Sequence, residues 1–164
     1  MDLTLRLARL CLVVGAAGGH IEGRRRLLAL AYLCQHAGTP LGQRFHLELY
    51  RLQSDTLGFD LTWAAQWRYL DNGLGPHGDR RLTLRQPPPD QHACLAAHEN
   101  AGLFLIREIA QESDPILDML ALIAYLHARG YREQALSTKL NQITTCPAGS
   151  VAQVLALARL HAIA

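Results

Sequence analysis

Three consecutive arginines, Arg24, Arg25 and Arg26, form the densest positive charge in the chain and stand where a helix is expected to begin. Cations at a helix N-terminus oppose the macrodipole by about 0.3–1 kcal/mol each. Two readings meet that cost: ion pairs with Glu22 or with acids elsewhere in the chain, or an external anion such as phosphate. Arg80, Arg81 and Arg85 make a second basic group. They suit phosphate contacts, or equally a charged edge strand that blocks aggregation. Arg44 and Arg68 complete the set of candidate nucleic-acid contacts. Trp63 and Trp67 lie one helical turn apart and so share a helix face. Buried, they would pack between that helix and the C-terminal part of the chain. Exposed, they would stack bases or anchor a partner protein.

Other chemistry is poorly represented. His92, Cys94, His98 and Glu99 are the nearest approach to a metal cluster. Their H-x-C-x-x-x-H spacing fits no paired-ligand zinc pattern, so a connector and helix start is the expectation, with no metal and no cofactor. No P-loop, dinucleotide fingerprint, G-x-S-x-G elbow or H-E-x-x-H motif occurs. No catalytic residue is nominated, and the chain reads as non-enzymatic.

The elements that must position these residues follow from composition and period. A chain of 164 residues with 49% hydrophobic and 18% charged residues folds around a core of its own. Net charge is +2 but uneven: residues 1–86 hold 11 Arg against 7 acids, and residues 87–164 hold 5 Lys/Arg against 7 acids, giving +4 and −2. That permits an anionic partner for the first half, well below the charge density of a dedicated nucleic-acid binder. Cys11, Cys34, Cys94 and Cys146 are widely spaced, which fits reduced thiols. Arg6 and Arg9 precede the apolar run 10–17, as in a leader peptide. The helical spacing of Leu3, Leu7, Leu10, Cys11 and Val14 predicts a core helix instead. No apolar stretch reaches about 18 residues, so no membrane partner and a cytoplasmic location are expected.

A helix over about 3–17 ends at Gly18-Gly19, and a second over about 22–37 ends at Gly38, the two forming a hairpin. Period-two alternation predicts a strand over 44–51. Ser54 is the expected cap of a helix over 55–71, closed by Asn72-Gly73. Turn residues between 74 and 79, then the alternating run 81–85, predict a wing hairpin. Pro87-Pro88-Pro89 marks a connector over 87–94. Beyond it four helices are expected: about 95–111, one capped by Asp114 with Pro115 in first position and ending at Gly130, one over 131–142, and one opened by a capping box at Ser150. The expected fold is mainly α with a small β element: a winged-helix-like unit over 1–86 and a helical cap over 95–164.

Several of these residues carry a resemblance. Ile21, Gly23, Arg24, Arg26 and Leu27 match an I-x-G-R-x-[KR]-L helix opening, Tyr32-Leu33 an aromatic-Leu helix end, and Arg44-Phe45 a strand start. Tyr50 and Ser54 fall at the following turn, Leu70 to Leu74 at a helix stop, and Ile116-Leu117-Asp118, Ala124-Tyr125-Leu126 and Lys139 further on. In this order the chain resembles the YwgA-like family. The resemblance implies a winged-helix-like fold related to the Panacea-type domains found in some antitoxins, with no assigned activity. Arg51-Leu52-Gln53 departs from the family's Gly-Pro-Tyr/Phe turn.

Two functions are therefore expected to compete. One is a regulatory protein contacting nucleic acid through Arg24, Arg25, Arg26, Arg44, Arg68, Arg80, Arg81 and Arg85. The other is a protein-interaction module or homodimer, antitoxin-like or adaptor-like, using Trp63 and Trp67. Asp55 and Asp60 stand in the first turns of the would-be recognition helix, where base-contacting residues belong, and count against groove entry.

Overall fold

The structure is a computed structural model that describes residues 2–75, 80–86, 100–143 and 148–163. Among these residues it is mainly helical, with seven helices and five short strands. Helix α1 (Leu3–Ala16) buries Leu7, Leu10, Cys11, Val13 and Val14. Gly18 and Gly19, at φ of 96° and 85°, then turn the chain into strand β1 (His20–Glu22). Only Ile21 of that strand points inward. The strand was not expected: Ile21 and Glu22 read as the lead-in to a helix, because three residues are too few to set a period.

Helix α2 (Arg24–His36) is buried continuously from Leu27 to Cys34. A helix apolar on all sides belongs in the middle of a core. It packs against α1 and β1 on the N-terminal side, and against α4 (Ala101–Ile109) and α5 (Asp114–Ala128) of the cap. One continuous apolar cluster consequently runs through both halves.

The strand expected over 44–51 is instead a hairpin, β2 (Phe45–Glu48) against β3 (Arg51–Ser54), with Glu48 opposite Arg51 and Phe45 opposite Ser54. Leu49 and Tyr50 form its two-residue turn at φ of 47° and 62°. Tight hairpin turns need positive φ at both positions, which is why Asn-Gly is preferred there. Leucine and tyrosine in that conformation cost about 1–2 kcal/mol each. Leu49 is 89% exposed, so burial does not offset its strain. Leu49→Asn combined with Tyr50→Gly is expected to stabilise the fold by about 1–2 kcal/mol, raising the melting temperature by roughly 2–6 °C. An unchanged or lower midpoint would mean that the Tyr50 ring contributes packing that outweighs the strain.

Helix α3 spans Leu57–Gln66, shorter than the expected 55–71. Thr56 rather than Ser54 is the residue before its start, although the Ser54 Oγ, at the end of β3, accepts a hydrogen bond from the Leu57 N–H at 3.2 Å. Its stop is Arg68, at φ 58°, with the Tyr69 N–H bonded to the Ala64 carbonyl. Asn72-Gly73 is not a cap but lies within β4 (Leu70–Leu74), which pairs antiparallel with β5 (Arg80–Leu84). Strand β1 pairs with the other edge of β5, giving the order β1-β5-β4. Ile21, Leu70 and Leu82 turn the buried side of this sheet inward.

In the cap, Ser113 rather than Asp114 is the residue before α5, and Gly130 at φ 93° follows its end. Helices α6 (Glu133–Ile143) and α7 (Ala148–Leu160) complete the chain, so Ser150 lies inside the first turn of α7 and does not cap it. The proline connector and residues 91–99 fall outside the described residues.

Candidate functional site

Helix α3 is held by a buried polar network. Asp60 is fully buried and accepts two hydrogen bonds from the Arg6 guanidinium, Nε to Oδ2 at 3.0 Å and Nη2 to Oδ1 at 2.9 Å. Gln43 donates to the same carboxylate at 2.6 Å, and its own amide oxygen accepts from the Thr56 hydroxyl at 2.6 Å. Gln35 fixes the Gln43 backbone, bonding its N–H at 2.9 Å and its carbonyl at 3.0 Å. The carboxylate expected to face phosphates thus faces the interior. Asp55 is the exposed one, 3.5 Å from the His46 ring.

With Leu57, Asp60 and Ala64 turned inward, Phe59, Trp63 and Trp67 fall on the opposite side at i, i+4 and i+8. Their rings meet edge to face, with centroids 6.0 Å apart for Phe59–Trp63 and 5.9 Å for Trp63–Trp67. Tyr69, brought back by the left-handed Arg68, extends the run at 6.0 Å from Trp67. Phe59 is 56% and Trp67 38% exposed, while Trp63 and Tyr69 are half-buried. The expected burial of the tryptophans against the cap is not what occurs, because the main neighbours of α3 are α1 and β4. Phe59 was legible as the residue one turn before Trp63. Tyr69 was not, since only the turn at Arg68 returns it to that face.

The arginines divide. Arg26 reaches into the cap, donating to Asp114 at 2.5 Å, to the Glu112 carbonyl at 2.8 Å and to the Ala110 carbonyl, where it satisfies the C-terminal end of α4. Arg25 pairs with Asp118 of α5. Arg85 pairs with Asp71 across the hairpin at 2.6 Å. Arg81 is half-buried, and its Nε has no hydrogen-bond partner among the described residues. Arg25, Arg26 and Arg85, expected as phosphate contacts, thus each have an acidic partner within the fold, with Arg26 the most enclosed and the Arg25 and Arg85 side chains still exposed. Arg24, Arg44, Arg68 and Arg80 are exposed. Of these, Arg24 and Arg80 flank one shallow groove of about 430 Å³ lined by Thr62 and Ala65 of α3 and Asn72 of β4, whereas Arg44 and Arg68 do not line it.

The two cysteine thiols among the described residues are muted. Burial pushes the Cys11 and Cys34 thiols up to about 12, so both stay protonated at neutral pH. Burial also raises Asp118 above the usual carboxylate range, despite the neighbouring Arg25. His92, Cys94, His98 and Glu99 lie outside the described residues, and among those described no three His, Cys, Asp or Glu side chains are grouped to hold a metal. No described helix is long and apolar enough to cross a membrane.

Neither a family model, nor a curated protein, nor a solved structure matches the chain.

Proposed function

We propose that the chain is a non-enzymatic regulatory binding protein whose partner is a protein docked on the aromatic face of α3. The run Phe59, Trp63, Trp67 and Tyr69 carries this reading, since its rings brace one another edge to face while Phe59 and Trp67 remain open to solvent. Braced aromatic side chains lose little entropy on binding and dominate interface energetics, at about 2 kcal/mol or more for the best positions. Exposed Arg68 directly follows Trp67 and favours a partner that is apolar at its centre and acidic at its rim.

The half that presents this face is read as winged-helix-like. Support comes from the order helix, strand, helix, hairpin, helix and hairpin, in which the β2–β3 hairpin is inserted between the second and third helices and β1 joins the wing strand β5. We also place the chain near the YwgA-like family and its Panacea-type relatives. The matched Gly23 takes φ 81° at the entry to α2, and the matched Arg26 ties α2 to the cap, so both have structural reasons to recur in such a fold. An antitoxin-like or adaptor subunit is the role this implies.

An affinity pull-down with the full chain from native lysate, repeated with Phe59→Ala and Trp67→Ala, tests the reading. One stoichiometric protein is expected on the wild type, with roughly tenfold less on either variant at an unchanged melting temperature. Recovery of no such protein, together with a monomer at high concentration, rejects it; a self-associating chain would make the partner a second copy.

Contact with nucleic acid is the second reading, favoured by the burial of Asp60, which clears one carboxylate from the groove between Arg24 and Arg80. It requires duplex DNA to be shifted at low salt, with affinity falling about 0.9 log unit per log unit of salt for each phosphate neutralised. Arg24→Ala with Arg80→Ala should reduce that slope. Absence of any shift at micromolar protein excludes it.

A further inference from the structure

A second concavity lies away from the aromatic face, where α2, the β2–β3 hairpin and α5 meet. It encloses about 320 Å³, at the lower end of the range for small-molecule sites. Its floor is apolar: Leu28 and Leu122 are 5% and 8% exposed, and half-buried Leu47 and Leu52 of the hairpin form the facing wall. Its rim is basic, with Arg24, Arg25 and Arg51 set against the single carboxylate of Asp118. Arg25 already meets that carboxylate, whereas Arg24 and Arg51 are exposed and make no ion pair among the described residues. The cleft therefore holds two guanidinium groups in excess over an apolar floor.

The hairpin turn also contributes to the lining. Tyr50 lines the cleft from a left-handed backbone position that tyrosine rarely adopts, so the turn is strained where it borders the concavity. Gln53 adds an amide to the lining.

We propose that this cleft binds a small carboxylic acid with an apolar body, its carboxylate held by Arg24 and Arg51 and its chain lying on Leu28 and Leu122. Guanidinium groups match carboxylates through paired N–H donors, which an alcohol cannot exploit. The site joins the two halves of the chain, since Leu28 belongs to α2 and Leu122 to α5. It shares Arg24 with the groove beside α3, whereas Arg51, Leu28 and Leu122 lie outside that groove and none of its lining belongs to the aromatic face.

Isothermal titration of the full chain with octanoate tests the assignment, with hexanoate, octan-1-ol and inorganic phosphate as comparison ligands. Octanoate is expected to bind one to one with Kd below about 1 mM. Hexanoate, two methylenes shorter, should bind roughly tenfold more weakly. Octan-1-ol and phosphate should each lose roughly tenfold or more, one lacking the charge and the other the apolar body. Arg24→Ala with Arg51→Ala should weaken octanoate by roughly tenfold or more at an unchanged melting temperature, because both side chains are exposed. No saturable heat at about 5 mM octanoate overturns the proposal. So does octanoate binding that the double substitution leaves intact, or phosphate binding as tight as octanoate. Because the readout is small-molecule heat, its failure leaves the pull-down result for α3 untouched.

Discussion

Asp60→Ala is expected to destabilise the protein by about 3–5 kcal/mol, the cost of breaking a buried ion pair from one side. Asp60 is fully buried, and its two oxygens take hydrogen bonds from Arg6 Nε, Arg6 Nη2 and Gln43 Nε2 at 3.0, 2.9 and 2.6 Å. Alanine would leave the mostly buried guanidinium facing an apolar void and release Gln43, which also receives the Thr56 hydroxyl at the start of α3. The effect should therefore combine a large loss of stability with loosening of the α3 N-terminus. Urea denaturation followed by circular dichroism measures the first, and amide hydrogen exchange over residues 57–66 the second. Arg6→Met with Asp60→Leu, which removes both charges and keeps the volume, should recover most of the stability. If the single substitution costs less than about 1 kcal/mol, the network is not what positions α3.

Gly102→Ala is expected to cost about 3 kcal/mol, although alanine is the better helix former by about 1 kcal/mol. A Cβ at this position of α4 would lie 2.1 Å from the Cys34 carbonyl oxygen, 2.6 Å from Thr39 Oγ1 and 2.8 Å from the Cys34 carbonyl carbon. Two of these atoms are backbone, and the Cys34 oxygen already accepts the Thr39 N–H at 3.2 Å, so it cannot retreat without losing that bond. The helix must move instead, prising the cap away from α2 along the apolar cluster that unites the halves. Gly15 of α1 is the internal control, because a Cβ there meets only Leu84 Cδ2 at 3.7 Å. Gly15→Ala should be neutral or stabilising by about 0.5–1 kcal/mol. Equal thermal midpoints for the two substitutions would show that the α2–α4 approach is softer than its geometry implies.

The parts of the fold that were legible are those whose period reports a single environment. Leu7, Leu10, Cys11 and Val14 mark the buried side of α1, and the cap helices α5 to α7 start and stop within a few residues of their expected bounds. The parts that were not legible turn on backbone conformations that residue type does not announce. Leu49, Tyr50 and Arg68 all take positive φ, where glycine or asparagine would have been the recognisable signal. The first two turned an expected strand into a hairpin, and the third ended a helix early and freed Leu70 to Leu74 for the sheet. Asn72-Gly73 then misled, because the same dipeptide serves helix ends and strand ends alike.

The candidate surfaces divide the same way. Composition and spacing by themselves determined a mainly helical chain, a basic first half, an aromatic pair on one helix face and an expectation of no enzymatic motif. Only the tertiary structure decided which charged groups face water. Arg26 finds its partners 84 to 88 residues away, and Asp60 meets an arginine 54 residues before it. A desolvated charge is tolerable only beside a compensating one, and which groups become neighbours is fixed by packing rather than by their order in the chain. For that reason a run of three arginines that read as one basic patch became two ties to the cap, one of them exposed, and one exposed cation without an ion pair among the described residues, while a carboxylate expected at the surface became the anchor that turns the aromatic side of α3 outward.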